Sequence, residues 1–327
     1  MKRLQNRIAE SGLTLPVMSA FGLCVWLASG LLAHGWWPQL VCFILSVYQM
    51  VEMNNAFALL RVRSRMVSSS FIGLSCTMSF LFGSLTGGLV QLFVIAALLL
   101  LLSTYQNQLA LGRIFYAFAL IGLASILFVQ VLFLVPLLWL LMAMHLQSLS
   151  WRGLMASLIG LVAPYWFFSL WFIYQRDFTP LGEHFAGIIG SIGGYGKFWD
   201  ALWSNGEFSD ELSVNVGRWG VVVSYVLAYV FTAVVAVTGM VNFWRNSMDE
   251  KIRIRLFYGL FSWIVIACLL LTALMPQHYD PLMRIAVVSA SPLIAHFLTL
   301  TSSRITNIAF FVILGIAFGL TVGSVVL

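Results

Sequence analysis

The stretch IFYAFALIGLASILFVQVLFLVPLLWLLMAMH, residues 114–145, decides the architecture. A membrane-crossing helix takes about 20 apolar residues. This run is too long for one crossing and long enough for two short ones. Gly122 and Val129-Gln130 offer places to turn. The expected structure is a hairpin of two short helices with its tip buried or at the outer face. Read as one helix, the run would invert everything that follows it.

The flanks favour the hairpin. Arg113 precedes the run and Trp151-Arg152 follows it, so both of its ends carry a basic residue. Basic residues mark the cytoplasmic ends of membrane helices. Working outward, apolar runs lie at about 13–33, 39–60, 67–82 and 89–103 before the hairpin. After it they lie at about 153–174, 220–243, 256–275, 285–300 and 305–326. With the hairpin this gives about eleven spans in an all-α, polytopic transmembrane bundle, N-terminus in and C-terminus out. Lys2, Arg3, Arg7, Arg61, Arg63, Arg65, Arg113, Arg152, Arg245, Lys251, Arg253, Arg255 and Arg304 then fall inside. Only Arg176, Lys197, Arg218 and Arg284 fall outside, and these two groups exhaust the 17 basic residues.

Composition agrees with this reading. The chain is 61% hydrophobic and 9% charged, with a mean hydropathy of +0.98. A soluble domain carries about 25% charged residues, so lipid must cover most of the surface. The whole chain, 1–327, reads as a single integral membrane domain. The net charge of +6 reflects topology and points to no nucleic-acid partner. The expected partners are membrane lipids, in a bacterial inner (cytoplasmic) membrane. Met1 to Arg7 followed by the apolar run 13–33 reads as an uncleaved signal-anchor helix. Cys24, Cys42, Cys76 and Cys268 all lie in apolar runs without metal-ligand spacing. No metal or other cofactor is expected.

One extramembrane segment stands out, at about 175–219. It is acidic, interrupted by glycines and rich in aromatics, and reads as an outer loop or amphipathic helix on the interface. It supplies Arg176 and Asp177 as candidate substrate-binding residues and Glu183 and His184 as candidate catalytic ones. A second outer cluster is Pro276-Gln277-His278-Tyr279-Asp280-Pro281-Leu282-Met283-Arg284. There His278 or Asp280 could act as acid or base and Arg284 could hold a phosphate. Its structural reading is an Asp280 N-cap, Pro281 at the first helical position, and an i,i+4 pair of Asp280 with Arg284.

A third candidate lies within the second run. Gln49, Glu52 and Asn55, with Tyr48 beside them, share one helix face. An ionisable residue at membrane depth is by default a functional hypothesis, with Gln130 and His145 as its possible partners. The alternative is a polar patch that locks helices together.

The run from Asn54-Asn55-Ala56-Phe57 through Arg63-Ser64-Arg65-Met66, the 114–145 double segment, and Trp151-Arg152-Gly153-Leu154 leading to Gly160-Leu161-Val162-Ala163-Pro164-Tyr165 carry a resemblance. The chain resembles an uncharacterised family of polytopic bacterial envelope membrane proteins. That family is weakly similar to the membrane core of C-type polyprenyl-phosphate-dependent glycosyltransferases. Those transferases carry a carboxylate in the first outer loop; here His34-Gly35-Trp36-Trp37-Pro38-Gln39 has none, so no catalytic residue carries over. The resemblance implies handling of a polyprenyl- or otherwise lipid-linked substrate in envelope glycan or lipid metabolism. The alternative expectation is a non-enzymatic protein: a transporter coupled through Glu52, or a scaffold subunit of an envelope membrane complex.

Overall fold

The computed structural model describes residues 4–62, 64–176, 179–193, 218–301 and 304–326, and their regular structure is entirely helical. Eight segments are long and apolar enough to cross a membrane. They are α4 (Trp37–Phe57), α6 (Leu85–Leu102), the continuous segment Val129–Leu146 containing α8 (Leu134–Leu141), α9 (Trp151–Gln175), α11 (Arg218–Arg245), α12 (Ile252–Leu274), α13 (Tyr279–Leu300) and α14 (Arg304–Val326). Three shorter apolar helices stand at the other expected crossings: α2 (Thr14–Ala28), α5 (Met66–Cys76) and α7 (Leu111–Leu127). The remaining helices are α1 (Leu4–Glu10), α3 (Leu31–His34) and α10 (Thr179–Gly193).

The 114–145 hairpin is present. α7 ends at Leu127, Phe128 is extended, and a 3-10 turn at Val129–Phe133 reverses the chain into α8. Pro136 lies in the first turn of α8, where its missing N–H costs no hydrogen bond. Of the two turning points expected, only Val129-Gln130 is used. Gly122 stays helical because α9 needs it bare: a Cβ there would stand 2.6 Å from the Leu161 carbonyl oxygen. Gly160 of α9 similarly sits against the Phe115 carbonyl of α7. Small residues facing each other let helix backbones approach in this way.

The returning chain defines two ends of the bundle. At one, the Gln106 amide bonds the Leu146 carbonyl at 2.8 Å, Thr104 bonds Ser148 at 3.1 Å, and Arg61 reaches Glu250. This basic end collects Arg61, Arg65, Arg113, Arg152, Arg245, Lys251, Arg253 and Arg255, all at its helix ends and turns. At the far end, Gln39 Nε2 donates to the Gly83 carbonyl at 3.1 Å, Ser79 meets Ser324 at 2.8 Å, and Gln130 meets His278.

Helix α13 is the centre of the bundle. Every residue from Ile285 to Thr299 is buried, and α5, α6, α11 and α12 pack around it. It holds Asp280 and Arg284 at its far end and His296 at its basic end. Gly239 of α11 meets it backbone to backbone, where a Cβ would stand 2.7 Å from the Leu293 carbonyl carbon. The four cysteines are free; Cys42, Cys76 and Cys268 are buried, whereas Cys24 faces outward.

Candidate functional site

The far end gathers most of the expected site residues. Val129–Phe133 puts Gln130 at the hairpin tip, buried, with its amide nitrogen 2.9 Å from Nε2 of His278. His278 is half-buried and lies edge-on to the Phe128 ring at 5.2 Å. Helix α10 lies across the same tip. His184 Nε2 is 3.0 Å from the Ser125 carbonyl, and Ser125 shares a 2.8 Å hydrogen bond with the Tyr165 hydroxyl. The Tyr165 and Phe185 rings pack beside it, tilted, at 5.4 Å. Two imidazoles, an amide and several aromatic rings thus surround the tip. Glu183, one residue from His184, points outward and is exposed, as is Arg176 at the end of α9. Asp177 lies outside the described residues.

Asp280 and Arg284 form the expected i,i+4 pair, at 2.5 Å. The expected cap does not form. The helix begins at Tyr279 after a 3-10 turn at Pro276–His278, so Asp280 sits inside the first turn and His278 occupies the cap position without a side-chain cap bond. Asp280 is placed to hold Arg284, whose guanidinium turns inward. It donates also to the Leu81 carbonyl and, at 3.5 Å, to Gln91 Oε1. Its donors thereby pin the turn before α6 onto α13. Gly87, in the first turn of α6, lies so close that a Cβ there would overlap Asp280 and stand 2.8 Å from Arg284 Nε. The carboxylate is one quarter exposed and lies where a helix N-terminus favours negative charge.

Gln49, Glu52 and Asn55 share a face as the helical spacing requires, but that face looks away from the bundle. The buried side of α4 is Leu40, Cys42, Ser46, Met50, Met53 and Phe57. Tyr48, Glu52 and Asn55 are exposed and Gln49 is half-buried. Neither suggested partner reaches Glu52: Gln130 is at the far end, and His145 lies against Gly259 of α12.

The strongest buried charge in the described residues is one that sequence reasoning passed over. Glu250, between α11 and α12, is 7% exposed. Its Oε1 is 3.0 Å from Arg61 Nε and 3.4 Å from His296 Nε2. His296 is 2% exposed and is walled by the rings of Phe243 and Tyr258, both edge-on, at 5.1 and 5.0 Å. In the sequence Glu250 only dilutes a basic turn, and His296 reads as one polar residue in an apolar run. A carboxylate inside a basic turn was the one available signal.

Among the described residues no group of three or more His, Cys, Asp or Glu side chains could hold a metal. No family model matches the chain, and neither the curated proteins nor the solved structures compared with it yield a match.

Proposed function

We propose that the chain is a multi-pass inner-membrane protein with eleven crossings, its N-terminus in the cytoplasm, that handles a lipid-linked substrate at its outer face. The orientation rests on the gathering of basic side chains at one end of the bundle. The shorter apolar helices α2, α5 and α7 are counted as crossings in this reading because they stand at the remaining apolar runs. The resemblance to an uncharacterised envelope family, itself weakly similar to C-type polyprenyl-phosphate-dependent glycosyltransferases, belongs to this reading.

The observation that carries it is the contact of Gln130 with His278 beneath α10, at the far end. The His278 imidazole is half-buried, hydrogen-bonded to Gln130 and flanked by Phe128, which suits it to meet a headgroup at its join with an acyl chain. The aromatic rings of Tyr165 and Phe185 offer the apolar side, and His278 and His184 offer protons or hydrogen bonds to a phosphate or sugar. Asp280 and Arg284 position the start of α13 beneath them.

The test is titration of the purified protein, in lipid nanodiscs, with a short-chain polyprenyl phosphate, read by tryptophan fluorescence. Saturable binding that His278→Ala weakens about tenfold or more, and that Glu52→Gln leaves unchanged, supports the reading. Equal affinity of wild type and His278→Ala would sink it.

A second reading has one observation in its favour. Gln49, Glu52 and Asn55 form a polar stripe on the outward face of a membrane-spanning helix. Such groups are costly against lipid, and a neighbouring subunit would relieve them. A scaffold subunit therefore predicts a partner that co-purifies with wild type and is lost in Glu52→Leu. Detergent-solubilised protein that always runs alone counts against it.

A further inference from the structure

We infer that Glu250 and His296 form a proton-binding site at the basic end, closed by Arg61, in which a proton and the Arg61 guanidinium exchange as counter-ion of one buried carboxylate. The site stands apart from the proposed substrate end and is independent of that reading.

The geometry is that of a shared acceptor. A single oxygen, Oε1 of Glu250, faces both Arg61 and His296. The other oxygen, Oε2, is buried without a hydrogen-bond partner, and so is Nδ1 of His296. Buried polar atoms are almost always satisfied, and exceptions call for a ligand, a water or a working role. Here the orphans belong to two neighbouring titratable groups, with Nε of Arg255, at the start of α12, a third unpaired polar atom. Arg61 reaches from the pair toward solvent. Arg61 is 45% exposed, whereas the Glu250 side chain is 4% and His296 2% exposed.

The charge count explains the exchange. With His296 neutral, the guanidinium in contact with the Glu250 carboxylate is that of Arg61, and these two charges offset each other; Arg255 meets the Glu250 backbone carbonyl instead. A proton from the solvent settles on the unpartnered Nδ1, and His296 becomes an imidazolium with Nε2–H still directed at Oε1. Glu250 then has a cation of its own inside the bundle. A second one would leave the buried site with excess charge, so Arg61 is released toward water and the headgroups, where an arginine side chain is at home. No bond other than the N–H is made.

Among the described residues besides Arg61, the groups facing the pair come from α11 and α12. From α11 comes the Phe243 ring. From α12 come the Tyr258 ring, whose hydroxyl donates to the Leu59 carbonyl at 3.2 Å, and Arg255, whose Nη2 is 3.5 Å from the Glu250 carbonyl. Helix α1 packs on the same end of α13 but keeps Arg7 and Glu10 exposed. Release of Arg61 would remove its tie between the turn after α4 and the turn between α11 and α12 and leave the Tyr258–Leu59 hydrogen bond as a remaining link.

The experiment is hydrogen exchange of the full chain in lipid nanodiscs from about pH 8 to about pH 5, the range in which an imidazole titrates. Rates are corrected for the intrinsic pH dependence. In wild type, amides of residues 59–61 and 247–250 should exchange about tenfold faster at the acid end. His296→Gln should stay protected throughout, and Glu250→Gln unprotected throughout. Arg61→Gln, at a half-exposed position that leaves the fold intact, should abolish the step as well. A flat wild-type profile, or an unchanged step in Arg61→Gln or in a folded His296→Gln, would overturn the assignment.

Discussion

Replacing Gly239 by alanine should set two opposing effects against each other, and the structure says which wins. Alanine is a better helix former than glycine by about 1 kcal/mol, so on an open helix surface the change stabilises. At Gly239 the new methyl would stand 2.7 Å from the Leu293 carbonyl carbon, 2.8 Å from its oxygen and 3.0 Å from the Ile294 nitrogen. All three are backbone atoms of the central helix α13, so no side chain can swing aside. The helices must separate by several tenths of an ångström, breaking contacts along the α11–α13 seam. Overpacking of this kind costs about 1–3 kcal/mol, which exceeds the gain in helix propensity. The matched control is Gly319→Ala in α14, where nothing lies within 4 Å. Thermal unfolding of the purified protein in detergent should rank Gly319→Ala at or above wild type and Gly239→Ala below it, the two variants about 2 kcal/mol apart. Gly239→Ala as stable as Gly319→Ala would refute the close approach of α11 to α13.

Other substitutions probe separate joints. Gly87→Ala should lose about 2 kcal/mol by displacing the Asp280–Arg284 pair; adding Asp280→Ala should recover part of the loss, a coupling of about 1 kcal/mol in a double-mutant cycle. Trp26 is buried and stacks on Phe82 at 4.1 Å, but its indole nitrogen has no acceptor. Trp26→Phe should therefore cost less than about 1.5 kcal/mol and Trp26→Ala about 3–5 kcal/mol in the same melts. Ser64 Oγ donates to the Ala9 carbonyl at 2.5 Å and accepts from the Met66 amide at 3.2 Å. Ser64→Ala should free α1, seen as faster hydrogen exchange at residues 7–10 with a stability loss of about 1 kcal/mol.

The helices were legible because a span has a minimum length and its ends carry charge. The 114–145 hairpin was legible for the same reason: two basic flanks cannot bracket a single crossing. What periodicity could not supply is which face turns inward. It placed Gln49, Glu52 and Asn55 together correctly, but a helix apolar on every side fits lipid and core equally well. The side of α4 that packs inward is set by Ser46, Met50 and Met53, whose partners lie elsewhere in the chain. Gly122 was ambiguous in the same way, since a glycine marks a turn or a close helix contact with equal ease. The Arg61, Glu250 and His296 cluster was illegible for a different reason. Its members lie far apart in sequence, in segments whose local composition explains each of them alone. Only the folded bundle, with α13 at its centre, brings them to one carboxylate.

The claim at the centre of this reading is that a lipid-linked substrate is met at the far end, around His184, Gln130 and His278. Photo-crosslinking with a diazirine-bearing polyprenyl phosphate in nanodiscs, followed by peptide mapping, tests it most directly. Adducts should fall within residues 125–133, 184–187 and 276–284 and should be competed away by unlabelled polyprenyl phosphate. Adducts confined to the basic end, at residues 58–65 and 245–255, or spread evenly over the lipid-facing helices without competition, would contradict it.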